Sequence, residues 1–194
     1  MKEIDQSIAF VDHVKQIESA NVGKRKKMYA CQFACEHQFR YCLKYCWDKS
    51  KERIVWIGLN PSRANEYNLD STLYRVLYYS HKWGFGSFVM LNAFAQISTD
   101  PRVIDRAKGI GRRNDEIIRE YLSRTSCVMC AWSNCGRNRQ NELSQLIGDK
   151  TVCCLGVSKA GYPCHPSRKR NEVKRVRMRF YSNCKQNSIA MAER

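Results

Sequence analysis

Three short stretches place a side chain capable of hydrogen-bond chemistry directly after an apolar run or at its end. They are Gly58-Leu59-Asn60-Pro61-Ser62, Met90-Leu91-Asn92-Ala93-Phe94 and His165-Pro166-Ser167. A carboxamide carries donors and an acceptor together, so Asn60 or Asn92 can orient a water or read a polar ring edge. A neutral imidazole donor such as His165 stabilises a developing anion without needing a full charge. Asp70, in Asn68-Leu69-Asp70-Ser71-Thr72, adds a carboxylate able to activate a water. Each residue also has a plainer role. Asn60 can cap the turn before Pro61, and Asp70 can cap a helix that starts at Ser71. Asn92 can satisfy backbone groups at a strand end, and His165 can be structural. Phe94 and Tyr67 can stack on a planar ligand or simply fill the core.

For these residues to meet, the strands that carry them must end together. Short apolar runs at Arg53–Gly58, Ser87–Asn92, Ser126–Trp132 and Thr151–Gly156 predict strands. Helical spacing over Ser71–Trp83, Asn114–Arg124 and Arg137–Ile147 predicts the helices between them. This alternation predicts an α/β three-layer sandwich, a central, mostly parallel sheet flanked by helices. Ligands in such sheets bind beyond the carboxyl ends of the strands, which gathers Asn60, Asn92 and the segment after Gly156 around one crevice. Upstream, Ile4, Ile8, Val11 and Ile17 predict an amphipathic helix over 3–19, followed by the basic segment NVGKRKK. From Met28 to Trp47 alternation predicts strands, with Tyr41, Leu43 and Tyr45 on one face and a hairpin around Glu36-His37-Gln38. Residues 1–27 therefore read as a helix and basic arm, and 28–194 as one domain.

The chain has 194 residues and a formal charge of +16, from 34 Lys and Arg against 18 Asp and Glu. That excess is more than solubility requires, and its natural partner is a polyanion, foremost nucleic acid. A solvated basic face is the plainer alternative. No apolar run reaches the roughly 20 residues needed to span a bilayer, and the N-terminus is too acidic and interrupted for a signal peptide. The expected location is cytoplasmic, with no membrane partner. Eleven cysteines in that compartment read as reduced thiols used as small apolar residues. Their spacing lacks the paired C-x2-C of a zinc ribbon, so neither metal nor cofactor is expected. The segment RKRNEVKRVRMRF from Arg168 fits an edge strand or helix with one face on phosphate, or else a solvated tail.

GLNP, a following strand ending in Leu-Asn, and a late His-Pro-Ser loop occur here in that order. The set resembles the uracil-DNA glycosylase superfamily, in particular its mismatch-specific thymine/uracil branch. FRYCLKYCW, IGLNPSRAN, DSTLYRVLYYSHKWGFGSFVMLNAFA, TDP and CLGVSKAGYPCHP, within 39–167, also resemble DUF1643, a bacterial and phage family. The resemblance implies a uracil-DNA glycosylase-like fold and an enzyme that cuts the N-glycosidic bond of a base flipped out of DNA.

Under that resemblance, Asn60 positions the attacking water, Asp70 activates it or supports the positive sugar, and His165 donates to the base O2. Gly58, Leu59, Ser62, Asn92 and Phe94 would line the base pocket, with Asn92 on a pyrimidine's Watson–Crick edge. Arg63, Ser167, Arg168, Lys169 and Arg170 would hold DNA phosphates. Two departures matter. The uracil enzymes carry a tyrosine shortly after the motif-one proline, beside C5 of the base, whereas Pro61 is followed here by Ser62 and Arg63. An open C5 side implies a 5-modified pyrimidine, with glucosylated hydroxymethylcytosine of phage DNA as the specific expectation and antiphage defence as the role. HPSRKR also offers no apolar wedge, which leaves Arg168 or Tyr162 to fill the gap left by the flipped base.

The expected reaction is monofunctional: water is the nucleophile, and a monomer leaves an abasic site. A non-catalytic DNA-binding protein on the same fold is the first alternative. A hydrolase or transferase of free nucleotides is the second, although it would not require so basic a surface.

Overall fold

The computed structural model describes residues 5–21, 24, 26–168, 173–180 and 190–191. The chain runs α1 (Gln6–Asn21), β1 (Ala30–Ala34), β2 (Phe39–Cys46), β3 (Arg53–Gly58), α2 (Ser71–Lys82), β4 (Ser87–Asn92) and α3 (Asn114–Ser123). It continues through β5 (Val128–Cys130), α4 (Gln140–Ile147), β6 (Val152–Cys154), β7 (Val176–Arg179) and β8 (Ala190–Met191). All strands join one 8-stranded sheet in the order β1-β2-β4-β3-β5-β6-β7-β8.

Alternation along the central strands sends their side chains to two cores. On one face Val55, Ile57, Val89, Leu91, Val128 and Cys130 pack with Ile117, Ile118 and Leu122 of α3 and Leu143 and Ile147 of α4. On the other, Ile54, Trp56, Phe88, Met90 and Met129 pack with Leu73, Val76 and Leu77 of α2 and Val11 and Val14 of α1. The molecule is therefore a mixed α/β structure with helices on both faces of the sheet.

A mostly parallel sheet is not what forms. Strands β4, β3, β5 and β6 run parallel, but β1 and β2 on one side and β7 and β8 on the other add four antiparallel pairings to three parallel ones. The connections explain this, because the tight turn between β1 and β2 can join only antiparallel neighbours. In that turn Cys35, Glu36 and His37 all adopt positive φ. The basic segment near the C-terminus returns as β7, with Met178 buried and paired to Val152.

Strand β2 departs from simple alternation. Gln32 pairs with Cys42 and Phe33 with Arg40, which leaves Tyr41 as a bulged extra residue. Tyr41 consequently joins the α3 and α4 core while Leu43 joins the other, so the three aromatic and aliphatic positions do not share a face. Bulges re-aim neighbouring side chains, and here Arg40 ends up buried beside the carboxyl ends of the parallel strands.

Helix α1 buries a different stripe from the one its isoleucines predict. Ile8 is exposed and Ile4 lies outside the described residues, whereas Ser7, Val11, Val14 and Glu18 are buried. Hydrogen bonds make the polar positions tolerable. Glu18 accepts from the hydroxyls of Tyr29 and Tyr74 and from the backbone N–H of Leu69 at 3.0 Å. Burial, with the hydrogen bond to Glu18 next, pushes both tyrosine pKa values well above their ordinary range. Replacing Glu18 with Ala strands those donors, and we expect a loss of about 3 kcal/mol or more, measurable by urea unfolding.

Candidate active site

Strands β3, β4 and β5 end at Gly58, Asn92 and Cys130, and a cavity of about 210 Å³ lies just beyond them. Its lining includes Arg40, Asn60, Asp70, Asn92, Ser133 and His165. The crossover connections dictate this place, since the loops leaving parallel strands all emerge at one sheet edge.

Asn92 occupies the last position of β4 and is 1 % exposed. Neither its Nδ2 nor its Oδ1 has a hydrogen-bond partner. Its backbone, in contrast, is firmly held. The Nδ2 of Asn114 donates to the Asn92 carbonyl at 2.9 Å, and Nε of Arg139 donates to the next carbonyl, that of Ala93, at 3.2 Å. Arg139 is in turn paired with Asp115. Gly58 provides the space beside Asn92, since a Cβ there would lie 2.9 Å from the Asn92 Oδ1 and 2.3 Å from the Met90 Cε. The result is a fixed carboxamide with donor and acceptor capacity vacant, an arrangement that costs stability unless a ligand completes it.

Asn60 has its donors committed. Its Nδ2 donates to the carbonyls of Pro61 and Ser98, both at 2.8 Å, tying the turn after β3 to the loop after β4. This fixes the amide orientation and leaves Oδ1 as the atom able to accept from a water. Asp70 is the N-cap of α2, its Oδ1 accepting from the Leu73 N–H at 2.9 Å, so the capping role is real and coexists with its place in the cavity wall. Asp70→Ala should cost about 1 kcal/mol, whereas Asp70→Asn should stay within about 0.3 kcal/mol of wild type; thermal unfolding of both variants checks this.

The Nδ1 of His165 lies 2.8 Å from the Ser167 hydroxyl and accepts from the Ser167 N–H at 3.4 Å. The Ser167 N–H pointing at Nδ1 suits the tautomer that carries its proton on Nε2. His165 stands in the wall of the cavity.

Arg40 was not anticipated as a site residue. It is 2 % exposed, and its Nη1 donates to the Ala64 carbonyl while its Nε has no partner. Desolvation lowers its pKa, opposed by Cys31, Asp70 and Cys42, yet an arginine stays charged inside proteins. Its thiol neighbours are no counter-ions, because burial raises the Cys31 pKa to about 12 and also raises that of Cys42. The available signal was an arginine inside the otherwise apolar run of FRYCL.

A family model described as DUF1643, a protein of unknown function, matches residues 40–167. The chain belongs to the DUF1643 family. The matched segment starts at Arg40 and ends at Ser167, which are also the first and last residues of the cavity lining. No curated protein matches the chain, and no solved structure does.

Within the DUF1643 segment, Leu59, Ser62 and Ser167 lie in the cavity wall, and Gly58 lies directly behind it. Phe94 does not. It is 0 % exposed in the α3 and α4 core, with the Arg106 guanidinium 5.3 Å above its ring, so stacking on a ligand is excluded. Phe94 lies two residues past the end of β4, where the strand's alternation no longer holds, and the chain turns it into the core. Arg63 is exposed. Arg168 ends the 3₁₀ turn Pro166–Arg168, while Lys169 and Arg170 lie outside the described residues.

Sequence reasoning also missed Ser98, Thr99, Pro101, Ser133 and Cys135, which line the wall together with Thr72, Leu73 and Met90. Ser133 adopts φ 57°, a left-handed conformation uncommon for a residue with a side chain. The loop from Pro101 to α3 exposes Arg102, Arg106, Lys108, Arg112 and Arg113. Val103, beside them, is 64 % exposed. Among the described residues, no three His, Cys, Asp or Glu side chains are grouped as a metal site, and no helix is long and apolar enough to cross a membrane.

Proposed function

We propose that this DUF1643 protein is a monofunctional DNA glycosylase with a uracil-DNA glycosylase-like fold. It hydrolyses the N-glycosidic bond of a flipped, 5-modified pyrimidine and leaves an abasic site. The observation that carries this reading is the buried, wholly unpartnered carboxamide of Asn92 in the cavity wall. A cytosine edge would satisfy it, with Oδ1 accepting from N4 and Nδ2 donating to N3.

The neighbouring groups fit the same chemistry. A water accepted by Asn60 Oδ1 attacks C1′, the C1′–N bond breaks, and its electron pair leaves with the base. His165 Nε2–H donates to the base oxygen as negative charge develops there. Asp70 faces the cationic sugar. The small Ser62 beside Asn60 leaves room at C5, which favours a bulky substituent such as the glucosylated hydroxymethyl group of phage cytosine, and hence a role in antiphage defence. Exposed arginines and lysine of the 102–113 loop would supply phosphate contacts.

The test is incubation with DNAs carrying different 5-modified pyrimidines or uracil, with released base identified by mass spectrometry and abasic sites probed chemically. Release from one modified DNA is the expected result. Salt-sensitive DNA binding with no base released from any substrate would sink the glycosylase reading.

A non-catalytic DNA-binding protein is the second reading. It is favoured by the structural commitments of Asn60 and Asp70, both of which bond backbone groups.

A further inference from the structure

We propose that Arg40 is a catalytic residue of the cavity, its guanidinium receiving the negative charge that departs with the pyrimidine ring. The proposal rests on the glycosylase reading above and deepens it.

The argument begins with cost. A buried charge without a counter-ion is among the most expensive features a fold can carry, and it persists where a ligand or transition state completes it. Among the described residues, no carboxylate lies within salt-bridge distance of Arg40, and Asp70, which lines the same cavity, acts on its charge only from beyond that distance. Its one hydrogen bond goes to the Ala64 carbonyl, which neutralises nothing, and Nε is left over. The Arg40 N–H bonds the Ala95 carbonyl at 2.9 Å, so β2 delivers Arg40 next to the strand end that carries Asn92. Both side chains then line the same cavity.

The two residues divide the recognition of one ring. Asn92 has a donor and an acceptor vacant, which suits an edge displaying both, and a phosphate offers only acceptors. Arg40 offers donors and a positive charge, which suits an anion. A pyrimidine leaving with the C1′–N bonding pair presents both features at once: a mixed polar edge and a delocalised negative charge on N1 and O2. Water adds its oxygen to C1′ and loses a proton, and the base anion takes up a proton from the site or from solvent. A cation already in place at a water-poor site requires no reorganisation during this step.

The probe is a free pyrimidine that is anionic near neutral pH, 5-nitrouracil, compared with neutral thymine and with inorganic phosphate. Titration calorimetry uses the full-length wild type, Arg40→Gln and Arg40→Lys. Wild type is expected to bind 5-nitrouracil about tenfold or more tightly than thymine, Arg40→Gln to lose that preference, and Arg40→Lys to keep part of it. Phosphate is expected not to displace the pyrimidine. An equal preference in Arg40→Gln, or displacement by phosphate, overturns the proposal, the latter identifying a backbone phosphate as the anion. Should Arg40→Gln fail to fold, wild type alone decides, since no preference for 5-nitrouracil over thymine also overturns it.

Single-turnover base release separates this proposal from the reading beneath it. Undiminished release by folded Arg40→Gln overturns the role of Arg40 and leaves the glycosylase standing. No release by wild type, with 5-nitrouracil binding that still requires Arg40, overturns the glycosylase and the catalytic role together and leaves an anion site.

Discussion

Asn92→Leu is expected to make the protein more stable and to abolish base release. Leucine has the same fork at Cγ as asparagine, so it occupies a similar shape without the two unpartnered polar atoms. Removing a buried donor and acceptor that bond to nothing should raise the free energy of unfolding by about 1–2 kcal/mol. The backbone clamp from Asn114 and Arg139 does not depend on the Asn92 side chain, so the strand end should keep its place. Turnover should nevertheless fall by about 10³-fold or more, because a site built to pair a polar edge loses most of its discrimination with that pair. Urea unfolding and single-turnover base release on the same preparations test both halves. A destabilised Asn92→Leu would mean that the carboxamide bonds something in the folded protein and is structural. A stabilised variant with undiminished release would remove Asn92 from the site.

The opposed signs explain why such a residue persists. Groups that fit their own fold poorly are expected where a ligand completes them, and they cost stability in its absence. Arg40 belongs to the same class, and both stand beside residues that hold their backbone in place.

This also bears on what could be read from the chain before its fold was known. Rows of valine, isoleucine and aromatic residues marked the four parallel strands, because burial on both faces requires nearly continuous apolar runs. The positions of Asn60, Asn92 and His165 followed, since the strand ends and the crossover rule converge on one edge of the sheet. Arg40 was hidden for a physical reason: a single-residue bulge at Tyr41 breaks the period of 2, and pattern reading assumes that period. Phe94 was misplaced because a residue two positions beyond a strand end has no assured face. Glu18 escaped because helix amphipathicity is counted in apolar residues, while α1 buries a carboxylate satisfied by hydroxyls from the approach to β1 and from α2. The five exposed basic residues from Arg102 to Arg113 are spread over a loop with no periodicity, so no pattern in the sequence singled them out.

Asn60→Ala and Asn60→Asp should separate the catalytic and structural roles of the turn after β3. A residue that merely capped this turn through its side-chain oxygen would tolerate aspartate well, since Asn and Asp are near equivalents in such turns. Asn60 instead donates through Nδ2 to two carbonyls. Aspartate would set a carboxylate against both of them, exchanging two attractive contacts for two repulsive ones. The expected order of stability is therefore wild type, then Asn60→Ala, lower by about 1–2 kcal/mol, then Asn60→Asp, lower still. Base release by Asn60→Ala should drop by about 10²–10⁴-fold, the range for losing a group that positions or deprotonates a reacting water. DNA affinity should change little, because phosphate contacts dominate it. If Asn60→Ala lost affinity and turnover in equal measure, the residue would be holding the DNA-facing loop through Ser98, and water positioning would have to be assigned to Asp70. If turnover fell alone, the two carbonyl bonds would be the means by which the fold aims Oδ1 at the water.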